Sequence, residues 1–197
     1  ATGTLTITDD DAAPSLSIND VTTSDETAGN VTFTVTLSEE SEDTISVNYA
    51  TSDGTGTAGS DYTAVSSTTL TFSPGETTKT FNVAVLADSL DEADETVTLT
   101  LSSASNATIS DATGTLTITD DDATPTIDFN ATSSTGAESV SSKAITVDLS
   151  AVSGRSVSID YAITGTATGS GTGPPSMRRP SSVRRTRRRA TGRALLI

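Results

Sequence analysis

The chain has 197 residues and contains no Cys, His or Trp, which removes the usual ligands of zinc and copper and the usual catalytic base. Its 33% hydrophobic content is low for a globular protein but above the disordered range. The formal charge of −15 hides a split: residues 1–172 hold all 26 acids and only three bases (Lys79, Lys143, Arg155), a net of −23, whereas residues 173–197 hold eight arginines and no acid. A body that acidic repels phosphate backbones, so no nucleic-acid partner is expected.

Residues 1–11, Ala-Thr-Gly-Thr-Leu-Thr-Ile-Thr-Asp-Asp-Asp, recur letter for letter as Ala112 to Asp122, a period of 111 residues. That period is the size of a whole domain and too long for a solenoid unit, so each copy is expected to carry its own core. Residues 1–11 are read as the last strand of a preceding repeat and 12–122 as one complete repeat. Ala12-Ala13-Pro14 and its twin Ala123-Thr124-Pro125 are the linkers. A chain that opens inside a repeat is expected to lack a signal peptide through truncation, and it has no apolar run of about 20 residues.

Seven strands are predicted in the complete repeat. Leu16 and Ile18 alternate in the first, and Val31, Phe33, Val35 and Leu37 in the second. Ile45, Val47 and Tyr49 form the third, Leu70 and Phe72 the fourth, and Phe81, Val83 and Val85 the fifth. Val97, Leu99 and Leu101 form the sixth, and Leu116 and Ile118 the last. Threonine fills many of the intervening positions. A period of two buries one face and wets the other, as in antiparallel sheets. Ser52-Asp53-Gly54, Ala58-Gly59-Ser60 and Ser73-Pro74-Gly75 supply turns. No stretch has helical periodicity. The fold expected is all-β: an immunoglobulin-like, seven-stranded antiparallel sandwich in tandem repeats.

Residues 123–172 restart the pattern. Ile145-Thr-Val-Asp-Leu-Ser150 echoes Phe33-Thr-Val-Thr-Leu-Ser38, and Ile159-Asp-Tyr-Ala162 echoes Val47-Asn-Tyr-Ala50. This stretch is read as the N-terminal part of an incomplete further repeat, with Tyr49 and Tyr161 in core or edge packing. At Gly173 the composition breaks. A basic arm for nucleic acid or an anionic membrane would account for the arginines, but 173–197 lacks interleaved aromatics and a helical face. A frame-shifted or non-native end accounts for them better. Arginine's CGN codons shifted by one base read as GNN, the Gly, Ala, Val, Asp and Glu vocabulary of the repeat.

The acids of the complete repeat gather where strands end. Asp53 lies in the turn after the third strand, and Asp88, Asp91, Glu92, Asp94 and Glu95 fill the loop after the fifth. Asp120, Asp121 and Asp122 follow the seventh, and Glu26 precedes the second. Odd-numbered strands that end at one pole bring these loops together. Packed carboxylates repel, and three bases cannot neutralise them. A hard divalent cation can. Calcium takes about six to eight oxygens in flexible geometry, whereas magnesium dehydrates reluctantly. A solvated acidic edge would explain one Asp triplet better than it explains three acidic loops at one pole.

The set Asp53-Gly-Thr, Ala58-Gly-Ser-Asp-Tyr62, Phe72-Ser-Pro-Gly-Glu76 with Lys79, Asp88-Ser-Leu-Asp-Glu-Ala-Asp-Glu95 and Gly114-Thr-Leu-Thr-Ile-Thr-Asp-Asp-Asp122 resembles the Calx-beta domain in order and spacing. That domain occurs in the cytosolic calcium-sensor region of sodium/calcium exchangers, in an integrin β subunit and in large extracellular repeat proteins. The resemblance covers 12–122 and, in part, 1–11 and 123–172. It implies a seven-stranded sandwich that binds Ca2+ at its distal loops. The implied ligands are Glu26, Asp53, Asp88, the Leu90 carbonyl, Glu92, Glu95, Asp120, Asp121 and Asp122. Ala87 stands where the exchanger domain has an aspartate, which removes one ligand. In the further repeat Glu138 matches Glu26, but Gly165 falls where Asp53 would be, so no binding is expected there.

Calcium is thus the expected cofactor. The expected role is a calcium-binding structural and interaction module of a large extracellular or cell-surface, adhesin-like repeat protein, with a membrane-associated parent compatible. An ion beside each Ala-Pro linker would stiffen the joint between domains. The partners are then calcium ions, neighbouring repeats of the same chain, and other cell-surface proteins or glycans. The alternative is a regulatory Ca2+-sensor domain of a membrane protein such as a sodium/calcium exchanger-type transporter. An enzyme is not expected. A carboxylate pair could hydrolyse glycosides, but the seven Phe and Tyr lie mostly at core positions and leave no sugar platform.

Overall fold

Alternation of Thr with Val, Leu, Ile and Phe sets the strands in the computed structural model, which describes residues 2–5, 12–23, 25–131, 145–161 and 194–196. The readings made on Asp9–Asp11, Glu138, Gly165 and most of the arginine-rich tail lie outside these residues. Two compact units result: 1–88 with 93–121, and 89–92 with 122–197.

The first unit holds β1 (Ser15–Ile18), β2 (Val21–Thr22), β3 (Asn30–Leu37), β4 (Ile45–Asp53), β5 (Thr68–Phe72), β6 (Thr78–Ala84), β7 (Glu95–Ser105), β8 (Thr108–Ile109) and β9 (Thr113–Ile118). Its two sheets run β6-β3-β1-β8 and β2-β9-β7-β4-β5. The seven predicted strands are β1, β3 to β7 and β9. Two short pieces join them and depart from a purely antiparallel sandwich. β8 pairs parallel with β1 (Leu16↔Ile109), and β2 pairs parallel with β9 (Val21↔Leu116). The cause is a change of sheet: residues 15–18 bond to β3 in one sheet, and 21–22 cross to β9 in the other. Each short piece covers a sheet edge, leaving β5 and β6 as the opposite edges. One 3-10 turn, Glu26–Ala28, is too short to produce a sequence period, and Gly29 ends it at φ 67°.

The inward residues form one core. Leu16, Phe33, Val35, Ile45, Val47, Val83, Val97, Leu99 and Leu116 are fully buried, each worth roughly 1.5–3 kcal/mol of transfer free energy. Phe33 and Phe81 face each other in register, with ring centroids 5.7 Å apart. Tyr49 of β4 stacks on Phe81 at 3.9 Å and so links the two sheets. Tyr62, in the connection from β4 to β5, is also buried although no alternating strand marks it.

Strand registers fix where the acids emerge. Asn30 pairs with Ala84, so β3 begins where β6 ends. Asp53 pairs with Val97, and Glu95 with Ile118, so β4 and β9 end where β7 begins.

In the second unit β10 (Ile127–Phe129), β11 (Ile145–Leu149) and β12 (Ala194–Leu196) form an antiparallel sheet in that order. The described residues of the arginine-rich tail, Ala194–Leu196, pair with β11. Phe129, Ile145 and Tyr161 are about half exposed, so Tyr161 is not a core residue. The described buried apolar residues all belong to the first unit.

Candidate metal centre

The 3-10 turn before β3 delivers Glu26 into the sandwich end, where it is only 9% exposed. The stretch that follows β6 brings Asp88 beside it, so that carboxylate oxygens of the two lie within 4.8 Å. Two like charges at that spacing repel by about 3–4 kcal/mol at an effective dielectric of 20. Lys79 is the one base among the described residues of the first unit. Lys79 sits on β6 and is already bound to Glu76 at 2.8 Å. That partner and the Ser73 amide hold the Glu76 carboxyl below its ordinary value.

Asp53 closes β4. Its Oδ1 accepts the Ala58 amide at 3.0 Å and the Tyr62 hydroxyl at 2.8 Å. Burial pushes the Tyr62 phenol up, and the bond to Asp53 and its charge add to that shift. Gly54 lets the chain turn against β7. A Cβ there would meet the Thr96 carbonyl at less than van der Waals separation and the Thr96 Oγ1 at 2.8 Å. Asp61 accepts the Thr57 amide at 2.6 Å. A carboxylate oxygen of Asp61 also lies within 4.8 Å of one from Glu95, at the start of β7. After β9, the Asp120 amide donates to Asp94 Oδ1 at 3.3 Å, and Asp121 is exposed.

Of the residues implied as ligands, the first unit thus holds Glu26, Asp53, Asp88, Glu95, Asp120 and Asp121. Asp61 was missed. Its signal was the tight Ala58-Gly-Ser-Asp turn, which returns its carboxylate to the Thr57 amide. Leu90, Glu92 and Asp122 belong to the second unit. Asp91, counted among the loop acids, has a different task there. It is 4% exposed, accepts the Ser153 hydroxyl at 2.8 Å and the Thr124 hydroxyl at 3.3 Å, and faces Arg155 Nε at 3.6 Å. The Gly154 amide donates to the Asp91 carbonyl at 3.1 Å, and the Arg155 guanidinium donates to the Glu92 carbonyl.

Carboxylates thus gather on the turns at one end of the sandwich, and the chain has no His or Cys to offer a nitrogen or sulfur ligand. The chain belongs to the Calx-beta family, whose profile (Calx-beta domain) matches residues 9–122, more than half of its length. The apo-form Calx CBD1 domain is similar at 26% identity and a TM-score of 0.52, over 56% of this chain and all of that one. CBD12 of CALX1.1, described as a calcium binding domain, is similar at the same identity and score over 68% of this chain and 57% of its own length. CBD12 from CALX1.2 is similar at 26% identity and 0.52 over 68% of this chain and 56% of its own. The chain therefore spans little more than half the length of these two CBD12 structures. No curated protein matches it. Among the described residues no helix is long and apolar enough to cross a membrane.

Proposed function

We propose that residues 12–122 form a calcium-binding module whose ion sits at the acidic end of the sandwich. The observation that carries this is the Glu26–Asp88 pair: a buried carboxylate held within 4.8 Å of another. Glu26, Asp53, Asp88, Glu95, Asp120 and Asp121 are the ligands proposed from the first unit, and Asp61 joins them through Glu95. Leu90, Glu92 and Asp122 stay as ligands on the family resemblance. No catalytic role is proposed.

Two roles use this chemistry. Similarity to the calcium binding domain CBD12 of CALX1.1 favours a regulatory sensor, in which calcium orders loops that repel one another without it. The letter-for-letter return of residues 1–11 at 112–122 favours a brace in an extracellular or cell-surface array, joined to neighbouring repeats and contacting surface proteins or glycans. Affinity separates them. A sensor responds near or below a micromolar, whereas an extracellular brace works at about 0.1–1 mM.

Thermal unfolding of the full chain tests both. In EDTA no divalent ion sits between the carboxylates. Calcium at several times Kd adds about 1–2 kcal/mol, a midpoint rise of about 4–9 °C for a domain of this size. Magnesium produces a much smaller rise. The calcium concentration at half-effect assigns sensor or brace. No rise at about 10 mM, above the weakest extracellular sites, means that the acids are only a solvated edge.

A further inference from the structure

We infer that Tyr62 is a positioning residue for the calcium site, its hydroxyl fixing the Asp53 carboxylate so that the second oxygen is held toward the cation. This rests on the calcium reading above. The side chain of Tyr62 is 1% exposed, and its hydroxyl donates to Asp53 Oδ1 at 2.8 Å. The Ala58 amide donates to the same oxygen at 3.0 Å. Two donors on one oxygen stop the carboxylate from rotating and leave Oδ2 for a metal. A phenylalanine would fill the core equally well, so core packing does not account for the hydroxyl.

The backbone of Tyr62 ties this to the other acidic segment. Tyr62 bridges to Val85 just beyond β6, and Thr63 donates to the Ala84 carbonyl at 2.8 Å. Leu86, two residues before Asp88, donates to the Asp61 carbonyl at 2.9 Å. The tyrosine thus stands between the end of β4, which carries Asp53, and the end of β6, which leads to Asp88. Its backbone holds one segment and its hydroxyl holds the ligand on the other. Partners of this kind typically change metal affinity by about 10–100-fold when removed.

The test is calorimetric calcium titration of the full chain and of its Tyr62→Phe, Asp53→Asn and doubly substituted forms, with folding checked by circular dichroism. Tyr62→Phe is expected to keep the sandwich and bind calcium about tenfold more weakly. In the Asp53→Asn background the same change is expected to have no further effect, because its target is gone. A merely structural role would give the same loss in both backgrounds. Unchanged affinity in Tyr62→Phe, or equal losses in the two backgrounds, overturns the inference while leaving the calcium reading intact. A wild-type chain that takes up no calcium sinks both. If Tyr62→Phe fails to fold, the near-ultraviolet tyrosine band decides. A calcium-induced shift present in wild type and absent in Asp53→Asn supports the inference, and no shift in wild type overturns it.

Discussion

Tyr62 carries an ionisable group into the core. Its phenol is raised above the ordinary value of 10.0 by burial first and by Asp53 second. The folded chain therefore keeps a proton that the unfolded chain releases at that pH. The stability this supplies is fully present below pH 10.0 and is lost as pH rises through the folded value. Urea midpoints at about pH 8 and about pH 11 should fall further for wild type than for Tyr62→Phe; equal falls would place the alkaline loss elsewhere. Gly54 makes a second residue-scale case. Gly54→Ala forces its Cβ against the Thr96 backbone and should cost about 1–3 kcal/mol, read as a lower melting midpoint, and should weaken calcium binding by moving neighbouring Asp53. At this scale the sequence was only partly legible. Glu26, Asp53 and Asp88 stood out by charge and place. The partners of Tyr62, Asp61 and Asp91 did not, because they are reached by hydrogen bonds across 9, 4 and 62 positions of sequence, and no local pattern records a partner.

Elements were more legible than residues, since a period of two declares its buried face. Phe33 shows what that face contributes. Phe33→Ala removes a fully buried ring stacked on Phe81 and should cost about 3–5 kcal/mol. Its solvent-facing neighbour Thr36→Ala should stay within about 0.5 kcal/mol. Urea unfolding of the two variants checks this, and similar losses would mean that β3 does not present one face to the core. The parallel pairings of β2 and β8 were not legible, because two residues cannot display a period. The same limit hid the 3-10 turn that places Glu26. β7 runs on to Ser105, past the last predicted core position at Leu101, through Ser103 at φ 53°; nothing in Ser102 to Ser105 announces an extended strand.

Across the whole molecule, polar contacts accompany the grouping of segments into units. Residues 89–92 follow β6 in sequence yet group with the second unit, where Asp91 meets Ser153, Thr124 and Arg155. Arg155→Ala leaves a nearly buried carboxylate with its two hydroxyl donors only. Amide exchange across 151–155 should quicken about tenfold, the equivalent of about 1.4 kcal/mol in local opening; unchanged exchange would show that the hydroxyls suffice. A different consequence follows from β5. It ends its sheet, and its Thr-Thr-Leu-Thr-Phe sequence carries no charge. Such a rim invites a second chain to add a strand. With no charge of its own on β5, long-range repulsion between chains of net charge −15 is what holds copies apart. On the proposed reading, a divalent ion taken up at the pole would lower that repulsion while it firms the fold. Colloidal behaviour is then set by the same ion as thermal behaviour, with the opposite sign: the conditions that make one molecule sturdier make a concentrated solution of it more prone to associate.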